Sequence, residues 1–171
     1  CAMIIKKLIL LSFSILLYHS LIAQQILKGK VVRISDGDTI TVLDSLNQQL
    51  KIRLHGIDCP EKGQDYYQVA KDYLGGLCFQ KQVIIYILKY DHYKRAIGKV
   101  YSDSLEINKE LLNAGLAWHF TQFDNSEEYA FAEMQARINK KNLWSLKNPT
   151  APWEFRKQKR LIQKSKKQAA D

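Results

Sequence analysis

The sequence predicts an α+β fold that is mainly β: five short strands able to close into a small barrel, with about three helices packed on it. Three observations carry this expectation. Five runs of β-branched and other apolar residues are short enough to be strands, turn chemistry separates the first three, and a stripe at helical spacing follows the third. An open α+β sheet fits the same element order nearly as well.

The first run, Ile26 to Ser35, ends at Asp36-Gly37, a pair suited to tight turns. Thr39 to Asp44 is a second β-branched run, closed by Ser45-Leu46-Asn47. In the third, Leu50, Ile52 and Leu54 alternate with Lys51, Arg53 and His55; a period of two buries one face and sends Arg53 to the polar one. A loop, Ile57 to Gly63, leads to Tyr66, Val69, Ala70, Tyr73, Leu74, Leu77 and Cys78, which share one helical stripe and put Cys78 toward the core. Gln82 to Tyr90 and Ile97 to Ser102 are the fourth and fifth strands, separated by the polar loop Asp91 to Arg95. A short helix over Ile107 to Ala114 meets Gly115, the residue best suited to a left-handed cap. Asn125 to Glu128 opens a third helix, with acids in its first turn and Arg137, Lys140 and Lys141 in its last, as the helix dipole favours. Pro149 and Pro152 break the chain beyond this helix, and a basic tail begins. Closed by its fifth strand, this set would be a barrel of the oligonucleotide-binding type.

The 171 residues are 46% hydrophobic, ample for one core. Residues 1–23 stand apart. Lys6 and Lys7 precede the apolar run Leu8 to Leu17, and the small residue Ala23 stands before Gln24, the pattern of a secretory signal peptide cleaved near Ala23. The run is about half the ~20 residues a spanning helix needs. The expected organisation is therefore a signal peptide over 1–23, one folded domain over 24–147 and a basic tail over 148–171, with the mature protein secreted or periplasmic. Net charge is +9, or +7 once Lys6 and Lys7 have left, and residues 153–171 alone carry +5. Such a balance favours polyanions: nucleic acid, or an anionic surface. Cys59 and Cys78 are expected to be an unbonded loop thiol and a core thiol; a disulfide between them, possible after export, is the sharper alternative.

Four segments gather charge beside strand ends. Asp36-Gly37-Asp38-Thr39 reads first as a hairpin turn, Arg53 as a surface arginine, Asp58-Cys59-Pro60-Glu61 as a solvated loop and His92-Tyr93-Lys94-Arg95 as a basic connection. Together they admit a second reading. Asp38, Asp58 and nearby backbone carbonyls are hard oxygen ligands, suited to Ca²⁺ or Mg²⁺ and poorly suited to zinc. Glu61 could take a proton from water, while Arg53 and Arg95 match phosphate bidentately. His55, His92 and His119 have no compact ligand spacing.

With these residues in view, the chain resembles the staphylococcal-type nucleases (thermonucleases). The matching blocks are Asp36-Gly37-Asp38-Thr39, Arg53-Leu54, Gly56 to Glu61 and Asp91 to Arg95; the similarity continues through Val100-Tyr101, Asn108, Leu111 and Asn113 to Trp118, covering about Ile26 to Trp144. The resemblance implies an OB-fold barrel and a Ca²⁺-dependent endonuclease acting on DNA and/or RNA, single-stranded or frayed, as a monomer without a stable protein partner. Mg²⁺ or Mn²⁺ would suit the same oxygens. By that resemblance Asp38, Asp58 and the backbone carbonyl of Cys59 hold the ion, and Glu61 holds or deprotonates the attacking water. Arg53 and Arg95 clamp the reacting phosphate, and Tyr93 lies along the nucleotide. Lys94, beside Tyr93, and Phe123, whose ring can stack on a base, are further candidate substrate-binding residues of this chain.

Three positions depart from the family pattern. Lys94 replaces a glycine, so a positive φ there would cost about 1 kcal/mol and could re-aim Arg95. His92 stands where a stronger base is frequent, and Thr121 or Phe123 where a tyrosine is. Relatives that lose the acidic residues persist as binding modules, which makes a non-catalytic nucleic-acid-binding barrel the alternative; all five charged positions are retained here, favouring catalysis. A surface binder acting through the tail leaves the acidic residues without a purpose. Trp118, Trp144 and Trp153 are expected to pack against the core and helices rather than stack on bases.

Overall fold

The structure, a computed structural model, describes residues 25–168; the expected signal peptide lies outside the described residues. The alternating runs form strands where expected. β1 (Gln25–Asp36), β2 (Thr39–Asp44) and β3 (Gln49–Leu54) make an antiparallel meander. A two-residue strand, β4 (Ile57–Asp58), and helix α1 (Tyr67–Cys78) then precede β5 (Gln82–Tyr90) and β6 (Ala96–Ser102). β5 pairs antiparallel with both β1 and β6. The decisive pairing is the last: Ile52, Arg53 and Leu54 of β3 lie parallel to Ala96, Ile97 and Gly98 of β6, closing five strands into a mixed barrel. An open sheet is thereby excluded.

Alternation fills the barrel. Val31, Ile40, Val42, Ile52, Leu54, Ile85 and Val100 are buried inside it, as period-two strands with one apolar face require. Helix α1 buries Ala70, Leu74 and Cys78 against this core, but Val69, expected on the same stripe, is exposed. After β7 (Leu105–Glu106) comes α2 (Ile107–Asn113), followed by Gly115 at φ +67 as the cap chemistry predicts. β8 (Trp118–His119) pairs with β4, and α3 (Glu127–Ile138) buries Tyr129, Ala132 and Ala136. Lys140 and Lys141, assigned by sequence to the last turn of α3, lie beyond its end, with Lys140 at φ +49. A 3₁₀ turn, Asn142–Ser145, follows.

The stretch read as a tail is largely a fourth helix, α4 (Pro152–Gln168). Pro152 starts it rather than breaking structure, because the first helical residue needs no N–H partner. Its first turn is seated by aromatic packing: Trp153 stacks on Phe120 with centroids 5.1 Å apart and planes 4° from parallel, and meets the edge of Trp118 at 5.8 Å. Trp144 completes this cluster 4.4 Å from Trp118, under the Arg137 guanidinium at 3.8 Å. All three tryptophans thus pack within the fold. Cys59 and Cys78 are buried and, among the described residues, unbonded.

Candidate active site

Gly37 and Asp38 form the two-residue turn between β1 and β2. A Cβ at Gly37 would stand 2.9 Å from that of Cys59 and 3.0 Å from that of Ala70, so only glycine lets the turn approach this closely. The contact places the Asp38 carboxylate in a cage. Oδ2 accepts the Cys59 N–H at 2.9 Å, and Oδ1 accepts the Thr39 hydroxyl at 3.0 Å and Nη1 of Arg53. Arg53, opposite Thr39 on β3, directs its other arm to Oδ1 of Asp58 at 2.5 Å. Asp58 is fixed in turn by the pairing of β4 with Trp118 of β8. One planar guanidinium therefore spans two carboxylates from different elements, a geometry that lysine cannot reproduce.

These carboxylates are deeply buried, Asp38 being 1% and Asp58 0% exposed. Burial raises the Asp38 pKa above the usual carboxylate range and the charge of Asp58 raises it further, against the pull of Arg53. For Arg53, burial alone would lower the pKa, but Asp38 and Asp58 hold it above the ordinary value, so it stays charged. The remaining oxygen of Asp58 is met by an unexpected group. Arg156, from the second turn of α4, donates from Nη2 to Asp58 Oδ2 at 2.8 Å and from Nη1 to Asp58 Oδ1 at 3.2 Å and Glu61 Oε1 at 2.6 Å. The loop carrying Glu61 is tied toward the same helix, since Gln64 accepts the Glu61 N–H at 2.8 Å and donates to the Thr150 carbonyl at 2.9 Å.

Beside this cluster opens a cleft of about 660 Å³, lined among others by Arg53, Glu61, Tyr93, Arg95, Phe123 and Arg160. Arg95 is aimed by Asp91, whose Oδ2 accepts its Nε–H at 2.7 Å while Oδ1 accepts the N–H groups of Tyr93 and Arg95, each at 2.9 Å. Among the described residues neither Nη of Arg95 has a hydrogen-bond partner, which leaves its fork free. Lys94 adopts φ +61, the strained value that the missing glycine implies, and does not line the cleft. Arg95 nevertheless remains in it. Tyr93 and Phe123 are exposed aromatic walls, with Phe123 edge-on to Phe120 at 4.8 Å and under Lys89 at 5.2 Å.

The donor set suits a hard divalent ion. Two buried carboxylates repel each other and call for positive charge, and every donor is oxygen. Among the described residues no three His, Cys, Asp or Glu side chains are arranged to hold a metal, so an ion at Asp38 and Asp58 would complete its shell from backbone carbonyls and water. Sequence reasoning brought together Asp38, Arg53, Asp58, Glu61 and Arg95 and missed Arg156. The available signal was Trp153 and Phe155 just after Pro152, apolar residues that a purely solvated tail would not carry.

A family model described as staphylococcal nuclease homologue matches residues 51–146. A protein of Escherichia coli O157:H7 named uncharacterized endonuclease is 39% identical over 132 residues, 77% of this chain and 86% of that protein. One of the same name in Haemophilus influenzae is 37% identical over 132 residues, 77% of this chain and 74% of its own. A staphylococcal-like nuclease of Arabidopsis thaliana is 36% identical over 115 residues, 67% of this chain and 36% of its own. The match spans β3 through the 3₁₀ turn, including Arg53, Asp58, Glu61 and Arg95 but stopping short of α4, and by it the chain belongs to the staphylococcal nuclease family.

Proposed function

We propose that this chain is a metal-dependent nuclease that hydrolyses phosphodiester bonds of DNA or RNA at the carboxylate–guanidinium cluster beside the cleft. The observation that carries this reading is the Arg53 fork across buried Asp38 and Asp58, next to a cleft holding the free fork of Arg95. A barrel that only bound nucleic acid would gain nothing from burying two carboxylates, which repel phosphate and are costly to desolvate. Nuclease activity is what the endonuclease-named relatives support; the assignment of roles rests on the geometry.

A divalent ion held by Asp38, Asp58 and the Cys59 carbonyl would lower the pKa of a water and offset charge on a phosphate oxygen. Glu61, at the cleft wall and partly exposed, accepts the proton of the attacking water. Arg53 and Arg95 line the same cleft from β3 and the loop after β5. Arg95 offers its free fork, and Arg53 the N–H groups not engaged by Asp38 and Asp58, to the phosphate oxygens as negative charge grows. The exposed rings of Tyr93 and Phe123 offer stacking surface for unpaired bases, so the proposed substrate is single-stranded or frayed. Export after cleavage near Ala23 and action as a monomer belong to the same proposal.

Glu61→Gln and Arg53→Lys test the roles. Each keeps side-chain volume close to the original while removing the base or the fork, and each should lower kcat/KM for a single-stranded oligonucleotide by roughly 10²–10⁴. Circular dichroism checks that both remain folded. Wild-type turnover by either folded variant would remove that residue from the mechanism.

A further inference from the structure

Arg156 lies outside the segment matched by the family model, yet it makes three hydrogen bonds to Asp58 and Glu61. The charge balance of this cluster changes when an ion and a phosphate enter it. With every group ionised, Asp38, Asp58 and Glu61 stand against Arg53 and Arg156, leaving one negative charge in the cluster. A divalent ion would turn that into one positive charge, which a phosphodiester, itself singly negative, returns to zero. The cluster is thus balanced for an ion and a phosphate together, provided Arg156 stays near but gives up its carboxylates.

Arg156 is the member able to do so. Its side chain is 36% exposed and that of its partner Glu61 38%, whereas Arg53 is 19% exposed and wedged between Asp38 and Asp58. Its backbone is held by the Trp153 stack one turn earlier, so the side chain can swing without undocking α4. Both Arg156 and Arg160, one helical turn further on, line the cleft, and Arg160 has no ion-pair partner among the described residues.

We propose that Arg156 is a phosphate-binding residue of this nuclease that occupies Asp58 and Glu61 in the resting protein and exchanges them for a substrate phosphate when a divalent ion binds. In the free protein the ion must compete with a guanidinium for Asp58. In the loaded protein the released guanidinium points a third fork into the cleft, supplied by α4. This exchange rests on the metal-dependent reading of the site.

Calorimetric titration with Ca²⁺ alone, without nucleic acid, separates the two. Arg156→Gln should bind Ca²⁺ about fivefold more tightly than wild type, the scale of losing one part-exposed ion-pair competitor. Its KM for a single-stranded oligonucleotide should nonetheless rise on the order of tenfold, and Arg156→Lys should recover part of that loss as a point charge. Equal or weaker Ca²⁺ binding by Arg156→Gln would overturn the exchange, and an unchanged KM would overturn the phosphate contact. Arg156→Lys carries the same comparison should the glutamine variant not fold. Failure of wild type and both variants to bind Ca²⁺ would instead remove the metal-dependent reading and this proposal with it.

Discussion

At the scale of single residues, the loop from Asp91 to Arg95 shows how one carboxylate substitutes for backbone freedom. Lys94 holds φ +61 without a glycine's tolerance, and Asp91 makes this possible by accepting two backbone N–H groups and the Arg95 Nε–H. Strain at Lys94 and aim at Arg95 are therefore separable. Lys94→Gly should raise stability by up to about 1 kcal/mol, lessened by the entropy glycine adds to the unfolded chain, and leave turnover unchanged. Asp91→Ala, by contrast, should lower kcat/KM by about tenfold or more through a loosened Arg95. Thermal melts and steady-state rates of the two variants check the pair; loss of activity in Lys94→Gly would show that the backbone, not Asp91, aims the arginine. The charged residues of this loop and of the Asp38, Arg53 and Asp58 blocks were legible in sequence because each block is short and self-contained. What could not be read there is that Asp38 is buried, a consequence of Gly37 admitting Cys59 and Ala70 from two other elements.

Among the elements, those with repeating contacts were legible and those with local contacts were not. Alternation reveals β1, β2, β3, β5 and β6 because each presents a face to the barrel over its length. β4 has two residues, and its pairing with β8 joins positions about sixty apart in the chain, so no periodicity announces it. In α4 the first turn and Arg156 pack on the body and Arg160 lines the cleft, while the exposed remainder is rich in lysine and reads as a solvated tail. Removing the stack that seats that turn should release it: Trp153→Ala is expected to abolish amide-exchange protection over residues 154–158 while leaving that of the barrel strands intact. Retained protection there would mean that Arg156 and Phe155 suffice. A second contact between elements involves Asp124, which meets His55 at 3.3 Å, His119 at 3.0 Å and the Ser126 N–H at 3.0 Å. Burial would raise the Asp124 pKa, but hydrogen bonds from Ser126 and His119 hold it below 3.8. A lowered carboxylate pKa contributes stability that is present above the unfolded value of 3.8 and is lost as pH falls through the folded value. Asp124→Asn should accordingly cost about 1–2 kcal/mol at neutral pH, with the difference from wild type shrinking only below pH 3.8. A difference that does not change with pH would show that the carboxylate charge is not what matters.

The whole molecule combines a closed barrel and a net charge of +9 over the sequence with a small negative cluster. Basic surfaces attract nucleic acid at long range, whereas the buried Asp38 and Asp58 act only at the point of chemistry. Closure of the barrel is what brings them into register: the parallel pairing of β3 with β6 sets Arg53 beside Ile97, two residues beyond Arg95, so both arginines reach one cleft. That pairing was not legible in sequence, since parallel partners separated by more than forty residues leave no local pattern. This arrangement is proposed to work as a metal-dependent nuclease. Its most direct test is the initial rate at which the purified protein cleaves a single-stranded oligonucleotide in Ca²⁺, compared with the rate in EDTA. Cleavage in Ca²⁺ that is abolished by EDTA and restored by excess ion is the predicted result; an undiminished rate in EDTA would contradict it.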